Sequence, residues 1–485
     1  MAESSLKQKT AKGLFWGGIS SGMQQLLSAS FGIYFARILS PDDYGLVAML
    51  AIFLGIAGVI VYNGLSVALT NKADANQEDY NAVFWATLFL GISIYVLLFF
   101  GAPLIAEFYK APELTALSRV LFLVFPFHAL GVVSYTVMFK KLMTKQQAMI
   151  DIIAMLISLS TGLFLALKGY AYWALVIQSL IQIALTTVLK FIIAPWKPTL
   201  TINFAPLKQM FSFSIKLFFT GIFTQITTNI FSVLLGKFYN ETQVGYYSQG
   251  QKWTVMGSQF IGGMIMYVTQ PVLVQVNEDP ERQTNVLRKL IRFGAFLSFP
   301  LMLGLAFVGK EFILITIGEK WLPAIPFLQL FCIWSAFGFL WTLYTNLIFT
   351  KGHSNLYMYG MLITGLLQLI AIICLYPLGI LPMIAGYVFA CFTGLIIWQY
   401  YVHKLTGLRL KDVLKDILPY LGVTLFCFGI AWLLTKNIRN LYWLFAGKIV
   451  IVGLLYLFIM KISNSVIFKE CMEFMRKNKK TGIKE

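Results

Sequence analysis

The chain has 485 residues, 58% of them hydrophobic and 12% charged, with a mean hydropathy of +0.76 and a formal net charge of +18. Soluble domains carry about a quarter charged residues, so this composition excludes an ordinary soluble protein and places the chain in a bilayer.

A membrane helix needs roughly 20 mostly apolar residues. Fourteen stretches qualify, near 14–36, 44–69, 80–102, 114–138, 148–167, 171–194, 209–235, 245–273, 288–309, 324–349, 355–376, 380–402, 414–435 and 441–463. The first is longer than the apolar core of a signal peptide and runs directly into the second, so it is expected to remain as an uncleaved span. When alternate loops are assigned to opposite sides, the side of the N-terminus carries roughly three times as many Lys and Arg as the other. That asymmetry places both termini in the cytoplasm and accounts for the positive charge without nucleic acid. The final "MRKNKKTGIKE" then lies as a basic tail near anionic membrane lipids.

The five cysteines, Cys332, Cys374, Cys391, Cys427 and Cys471, form no CxxC pair, and four lie inside spans. They indicate neither a disulfide framework nor a metal site, and no cofactor motif is present. There is no HExxH, GxxxxGK[ST] or GxSxG, and His128, His353 and His403 are far apart. No loop is long enough to hold a folded soluble domain. Enzyme readings such as a polysaccharide polymerase or ligase, which need a sizeable outer loop, are disfavoured.

The sequence repeats itself. "ARILSPDDYG" from Ala36 is echoed by "GKFYNETQVG" from Gly236, matching Arg37 with Lys237, Ser40 with Asn240 and Gly45 with Gly245. Further on, "LKGYAYWALVIQSL" from Leu167 resembles "PLGILPMIAGYVFA" from Pro377, aligning Gly169 with Gly379. Spans one to six and seven to twelve therefore read as a duplicated six-helix unit. The expected organisation is a lobe at 1–203, a second lobe at 204–403, and two further helices with the basic tail at 404–485. Units with an even helix count are related by an axis along the membrane normal, a plan used by transporters that bind substrate near the midplane.

Each repeated segment is a hairpin by its local chemistry. Ser40 is the expected N-cap of the second span, Pro41 suits its first turn, and Asp42 and Asp43 complement the helix dipole. Asn240 is the matching cap, with Gln243 near capping-box spacing.

Polar groups inside hydrocarbon are costly and mark function or a specific partner. In the seventh span, Lys216, Thr220, Thr224 and Thr227 recur at helical spacing on one face. The eighth places Gln249, Lys252, Met256, Gln259 and Gly263 on one face. The first carries Gly17, Ser21, Gln24 and Ser28 with Gln25 beside them, and the second adds Asn63. If these four helices line the cleft between the lobes, its first-lobe wall is uncharged and its second-lobe wall cationic, which suits an anion bearing many hydroxyls. The competing reading has Lys216 and Lys252 snorkelling to the interface; Lys448, among apolar neighbours, is expected to snorkel. His128 and Asp151 are candidate coupling groups, although Lys145 is an adequate structural partner for Asp151. Arg119 reads as an interfacial anchor, and Pro126 and Pro300 as helix interruptions.

The basic start "LKQKTAKGLFWGGISSGMQQLL", then "FARILSPDDYGLVAM", then "LLGKFYNETQVGYYSQGQKW" resemble the Wzx-like polysaccharide exporters of the multidrug, oligosaccharidyl-lipid and polysaccharide flippase superfamily. The resemblance covers essentially the whole chain. It implies an all-α membrane fold of two six-helix lobes in a V with two extra C-terminal helices. It also implies that undecaprenyl-diphosphate-linked oligosaccharide moves to the outer leaflet of the bacterial cytoplasmic membrane, for lipopolysaccharide, capsule or exopolysaccharide synthesis. Related lipid flippases hold the diphosphate with cavity cations, a role carried here to Lys216 and Lys252. The expected partners are the lipid-linked oligosaccharide, membrane lipids and other polysaccharide assembly proteins. A cation-coupled multidrug exporter of the same superfamily is the alternative, but such proteins favour acidic cavity residues, and spans one, two, seven and eight contain no mid-span Asp or Glu.

Overall fold

A computed structural model describes residues 2–72, 74–275, 280–463 and 465–470, and the described residues form helices joined by short connections, with no strand among them. In hydrocarbon each backbone polar group must be satisfied within its own segment or a closed barrel, and long apolar runs without alternation satisfy it as helices. In chain order the helices are α1 (Ala2–Ile38), α2 (Pro41–Asn71), α3 (Gln77–Tyr109), α4 (Glu113–Lys140), α5 (Thr144–Leu167), α6 (Trp173–Ile193), α7 (Leu207–Phe238) and α8 (Glu241–Gln275). They continue with α9 (Pro280–Ser298, prolonged through a π turn, Phe299–Leu303, to Gly304–Phe307), a short helix Gly309–Thr316, and α10 (Ile325–Ser335 and Gly338–Thr350). The last four are α11 (Ser354–Leu375), α12 (Ile380–Thr406), α13 (Leu410–Thr435) and α14 (Leu441–Ile462).

Helical structure occupies all fourteen expected stretches, but the expected count of fourteen apolar spans is not reached. Among the described residues, eleven helices are long and apolar enough to cross a membrane, or twelve if the two parts of α10, bent by 41°, form one span. α1 and α8 are the helices outside that set. Their glutamines, serines and glycines, which include Gln24, Gln25, Gln249, Gln251 and Gln259, dilute the hydropathy. The basic tail from Arg476 onward lies outside the described residues.

Local chemistry fixes the helix starts as expected. Ser40 Oγ accepts from Asp43 N at 3.2 Å and Asp43 Oδ2 accepts from Ser40 N at 2.8 Å, a complete capping box. Asn240 Oδ1 accepts from Gln243 N at 3.0 Å. Pro300 sits in the π turn of α9, and the break at Phe122 and Leu123 in α4 precedes Pro126 by one turn. π turns and prolines are the usual causes of such interruptions.

The chain divides into two compact units, Met1–Ser248 and Gln249–Glu485, so that the boundary falls within α8. Contact sets this boundary, whereas the lobe boundary expected near 203 was drawn from the sequence echo, and the two quantities need not coincide. In the first unit, α5 packs against α1 and α6, α4 against α3 and α6, and α7 along α2. A Cβ on Gly221 of α7 would lie 2.7 Å from Val59 Cγ1, so the α2–α7 approach relies on small residues. In the second unit, α9 packs on α13, α11 on α12, and α13 on α14. Large apolar side chains such as Phe100, Leu104, Phe389 and Trp443 remain exposed, as lipid-facing surfaces require.

Polar clamps fasten α13 and α14 to the rest of the second unit. Asp416, which is buried, accepts from Arg288 Nε at 2.8 Å and Arg292 Nε at 2.6 Å. Lys448 Nζ lies 2.7 Å from Glu311 Oε1, and both residues are buried. Lys448 therefore does not snorkel as expected, because a carboxylate on the short helix meets it inside the bundle. Tyr456 donates its hydroxyl to Phe296 O at 2.9 Å.

Candidate functional site

The first unit holds a polar pocket of about 310 Å³, set among helices that are otherwise apolar. Gln24 of α1, His128, Gly131 and Tyr135 of α4, and Asp151 of α5 form part of its wall. Gln182, Ile183, Thr186, Thr187 and Lys190 of α6 complete it. Helical periodicity explains the α6 contribution: Gln178, Gln182, Thr186 and Lys190 recur every four residues and lie along one stripe.

An ion pair anchors one end. Lys190 Nζ is 2.8 Å from Asp151 Oδ1, with the lysine side chain 10% exposed and the carboxylate side chain 32% exposed. The ammonium also sits 5.2 Å from the centroid of the Tyr135 ring, close enough for a cation–π attraction. Asp151 was expected to find Lys145, but Lys145 lies over the Trp16 ring at 5.3 Å and the partner comes from the neighbouring helix α6. The pair lies on α5 and α6, helices other than the α1 and α2 from which the uncharged wall was expected.

Around the pair lie amide and hydroxyl groups. Gln24 donates from Nε2 to Ser20 Oγ at 2.9 Å, and Gln182 Oε1 accepts from Gln178 Nε2 at 3.3 Å. Thr187 donates to Phe127 O at 3.0 Å, and a Cβ on Gly131 would lie 3.0 Å from Thr187 Oγ1, which shows how closely α4 and α6 approach. His128 and Asp151, predicted separately as coupling groups, share this pocket with Gln24.

The other candidate residues are placed elsewhere. Lys252 is half-buried in α8, its Nζ 5.6 Å from the Trp253 ring centroid. Gln249, one turn earlier, is fully buried, and neither of its amide atoms has a hydrogen-bond partner among the described residues. Thr224 donates to Thr220 O at 2.8 Å, so its hydroxyl is turned back on its own helix. Gln25 and Thr220 are half-buried and Gln259 is exposed. The side chains of Asn63 and Lys216 lie outside the described residues. Lys190, Gln182, Thr186, Thr187 and Tyr135 were missed by the sequence reading. The four-residue stripe on α6 was the available signal, and it was hidden because Lys190 reads as one more positive charge at a helix end.

Among the described residues no group of three or more His, Cys, Asp or Glu side chains could hold a metal ion.

Helices long and apolar enough to cross a membrane make this a multi-pass membrane protein, and its fold is shared with solved membrane proteins. A solved lipid II flippase, MurJ, in an inward closed conformation, superposes with a TM-score of 0.75, covering 95% of this chain and 100% of that one at 17% identity. The family model described as polysaccharide biosynthesis protein matches residues 34–326, and the chain belongs to that family. It is 25% identical to the succinoglycan biosynthesis transport protein ExoT of Rhizobium meliloti, over 63% of each chain. It is 23% identical to the lipopolysaccharide biosynthesis protein WzxC of Escherichia coli, over 68% of this chain and 67% of that one. The alignment thus spans about two thirds of these relatives.

Proposed function

We propose that this protein is a flippase that moves an undecaprenyl-diphosphate-linked oligosaccharide from the inner to the outer leaflet of a bacterial cytoplasmic membrane, for lipopolysaccharide, capsule or exopolysaccharide assembly. In this reading both termini are cytoplasmic. The six-helix lobes at 1–203 and 204–403 rock to expose the substrate to each side in turn, with the helices of 404–485 appended. The observation that carries the reading is the ion-paired pocket built into helices of membrane length. Membership of the polysaccharide biosynthesis family supports it.

The physical task fits these parts. Sugars and a diphosphate cannot cross hydrocarbon unaided, while the polyprenyl tail stays in lipid. Lys216 and Lys252, both in the second repeat, hold the diphosphate. Gln24, Gln25, Asn63, Thr220, Thr224, Gln249 and Gln259 supply uncharged donors and acceptors to the head group. His128 is kept as the coupling candidate, while Asp151, the other group considered for that role, is engaged by Lys190 at 2.8 Å. An inside-negative potential itself favours outward movement of the diphosphate by about 2.3 kcal/mol per charge per 100 mV.

The test is the variant carrying Lys216→Ala and Lys252→Ala. It is expected to reach the membrane at normal levels and to leave lipid-linked oligosaccharide on the cytoplasmic leaflet. Normal glycan export by this variant would remove the cationic grip from the mechanism. A strain lacking the protein that accumulates no lipid-linked oligosaccharide would remove the flippase reading itself.

A further inference from the structure

The pocket enclosed by α1, α4, α5 and α6 is lined by chemistry that selects among ligands. Its one carboxylate and one lysine neutralise each other at 2.8 Å. A small cation entering the pocket would have to displace the tethered Lys190 ammonium from Asp151. A phosphate drawn to the Lys190 ammonium would also meet the Asp151 carboxylate bonded to it. Each charged ligand class therefore faces a like charge beside the one that attracts it. A neutral ligand with both donors and acceptors meets neither penalty.

We infer that this pocket is a saccharide subsite that holds one part of the oligosaccharide head group through its hydroxyls. The inference rests on the flippase reading above and deepens it by assigning the sugar to a place within the first unit. Asp151 accepts from sugar hydroxyls and Lys190 donates to them, so the pair addresses neighbouring hydroxyls with complementary groups. Gln24 and Gln182 add amides from two further helices, and each amide offers both a donor and an acceptor. Tyr135 and Ile183 give the apolar wall against which sugar C–H groups pack. At about 310 Å³ the pocket is at the lower end of the roughly 300–1,000 Å³ typical of small-molecule sites, so it accommodates part of a head group and leaves the rest of the glycan outside.

The test uses the full chain in lipid nanodiscs and two probes. One is the lipid-linked oligosaccharide extracted from cells lacking this protein. The other is undecaprenyl diphosphate without a glycan. Gln24→Leu and Gln182→Leu keep side-chain size and leave the Lys190–Asp151 pair in place. Each is expected to weaken binding of the glycan-bearing lipid about three- to tenfold, the loss of one or two hydrogen bonds, with binding of the bare diphosphate lipid unchanged. Unchanged binding of both lipids by variants as thermally stable as the wild type would overturn the subsite. So would equal losses for both lipids, which would move the role to the diphosphate. Sodium-dependent binding of the glycan lipid that disappears in either variant would make the pocket a cation site and would also overturn it. If the wild type binds neither lipid, the flippase reading fails first, and the saccharide subsite fails with it.

Discussion

Gly45 and Gly245 make the same contact from opposite sides: a Cβ on Gly45 would lie 1.8 Å from Glu241 O, and a Cβ on Gly245 would lie 2.0 Å from Pro41 O. The start of α2 thus touches the start of α8, and each glycine meets the position equivalent to its partner's neighbour. Thr242 also donates to Asp42 Oδ1 at 2.5 Å, across the 200-residue offset of the repeat. Reciprocal contact of this kind is what a two-fold relation between like elements produces, here within one chain.

No side chain fits at either glycine while the helix starts stay together. Gly45→Val and Gly245→Val are each expected to separate the two hairpin tips and to reduce glycan export at least tenfold while membrane levels stay near normal. Disulfide trapping between cysteines placed at positions 42 and 242 reports the separation directly, through a slower cross-linking rate in the valine backgrounds. Normal cross-linking together with normal export would show that this contact is incidental.

For the α5–α6 ion pair, the sign of the double mutant is the informative quantity. Lys190→Met strands a carboxylate among apolar helices and is expected to cost about 1.5–3 kcal/mol, less than a fully buried charge because Asp151 is partly exposed. Lys190→Met with Asp151→Asn should recover most of that loss. Thermal unfolding in detergent measures both, and additive losses would contradict the pairing.

Two guanidinium groups converge on Asp416, so removing its charge leaves like charges facing each other where α9 meets α13. Asp416→Asn is expected to destabilise the protein by about 1–3 kcal/mol, less than breaking a fully buried pair because the guanidinium groups left behind are partly exposed, and to increase proteolysis near the α12–α13 connection. Arg288→Lys should cost less, because Arg292 remains, but it loses the bidentate geometry.

Lys448 and Glu311 are both buried and bonded at 2.7 Å. Glu311→Gln alone is expected to lower the melting temperature by several degrees. Lys448→Met with Glu311→Gln should return near to the wild-type value, since replacing a whole buried pair is often close to neutral. A double variant as unstable as the single one would show that the pair itself, and not the stranded charge, sustains α14.

The candidate site was legible in part. Gln24, His128 and Asp151 were singled out because polarity inside an apolar helix is conspicuous one residue at a time. Their convergence in one pocket was not legible, because helical periodicity shows which residues share a face without showing which helix that face meets. Lys190 was overlooked for a related reason: a lysine in the last turn of a helix looks interfacial until a carboxylate from the next helix is found beside it.

By itself the sequence determined the membrane setting, the fourteen helical stretches and the caps at Ser40 and Asn240. These follow from hydrogen bonds and burial that each segment settles locally, where a long apolar run has only its own backbone to satisfy. Only the tertiary structure decided that Asp151 pairs with Lys190 and not with Lys145, that Lys448 meets Glu311, and that the two repeated hairpins touch. Those pairings depend on how helices distant in sequence pack against one another, and a polar residue on a helix names its need for a partner without naming the partner.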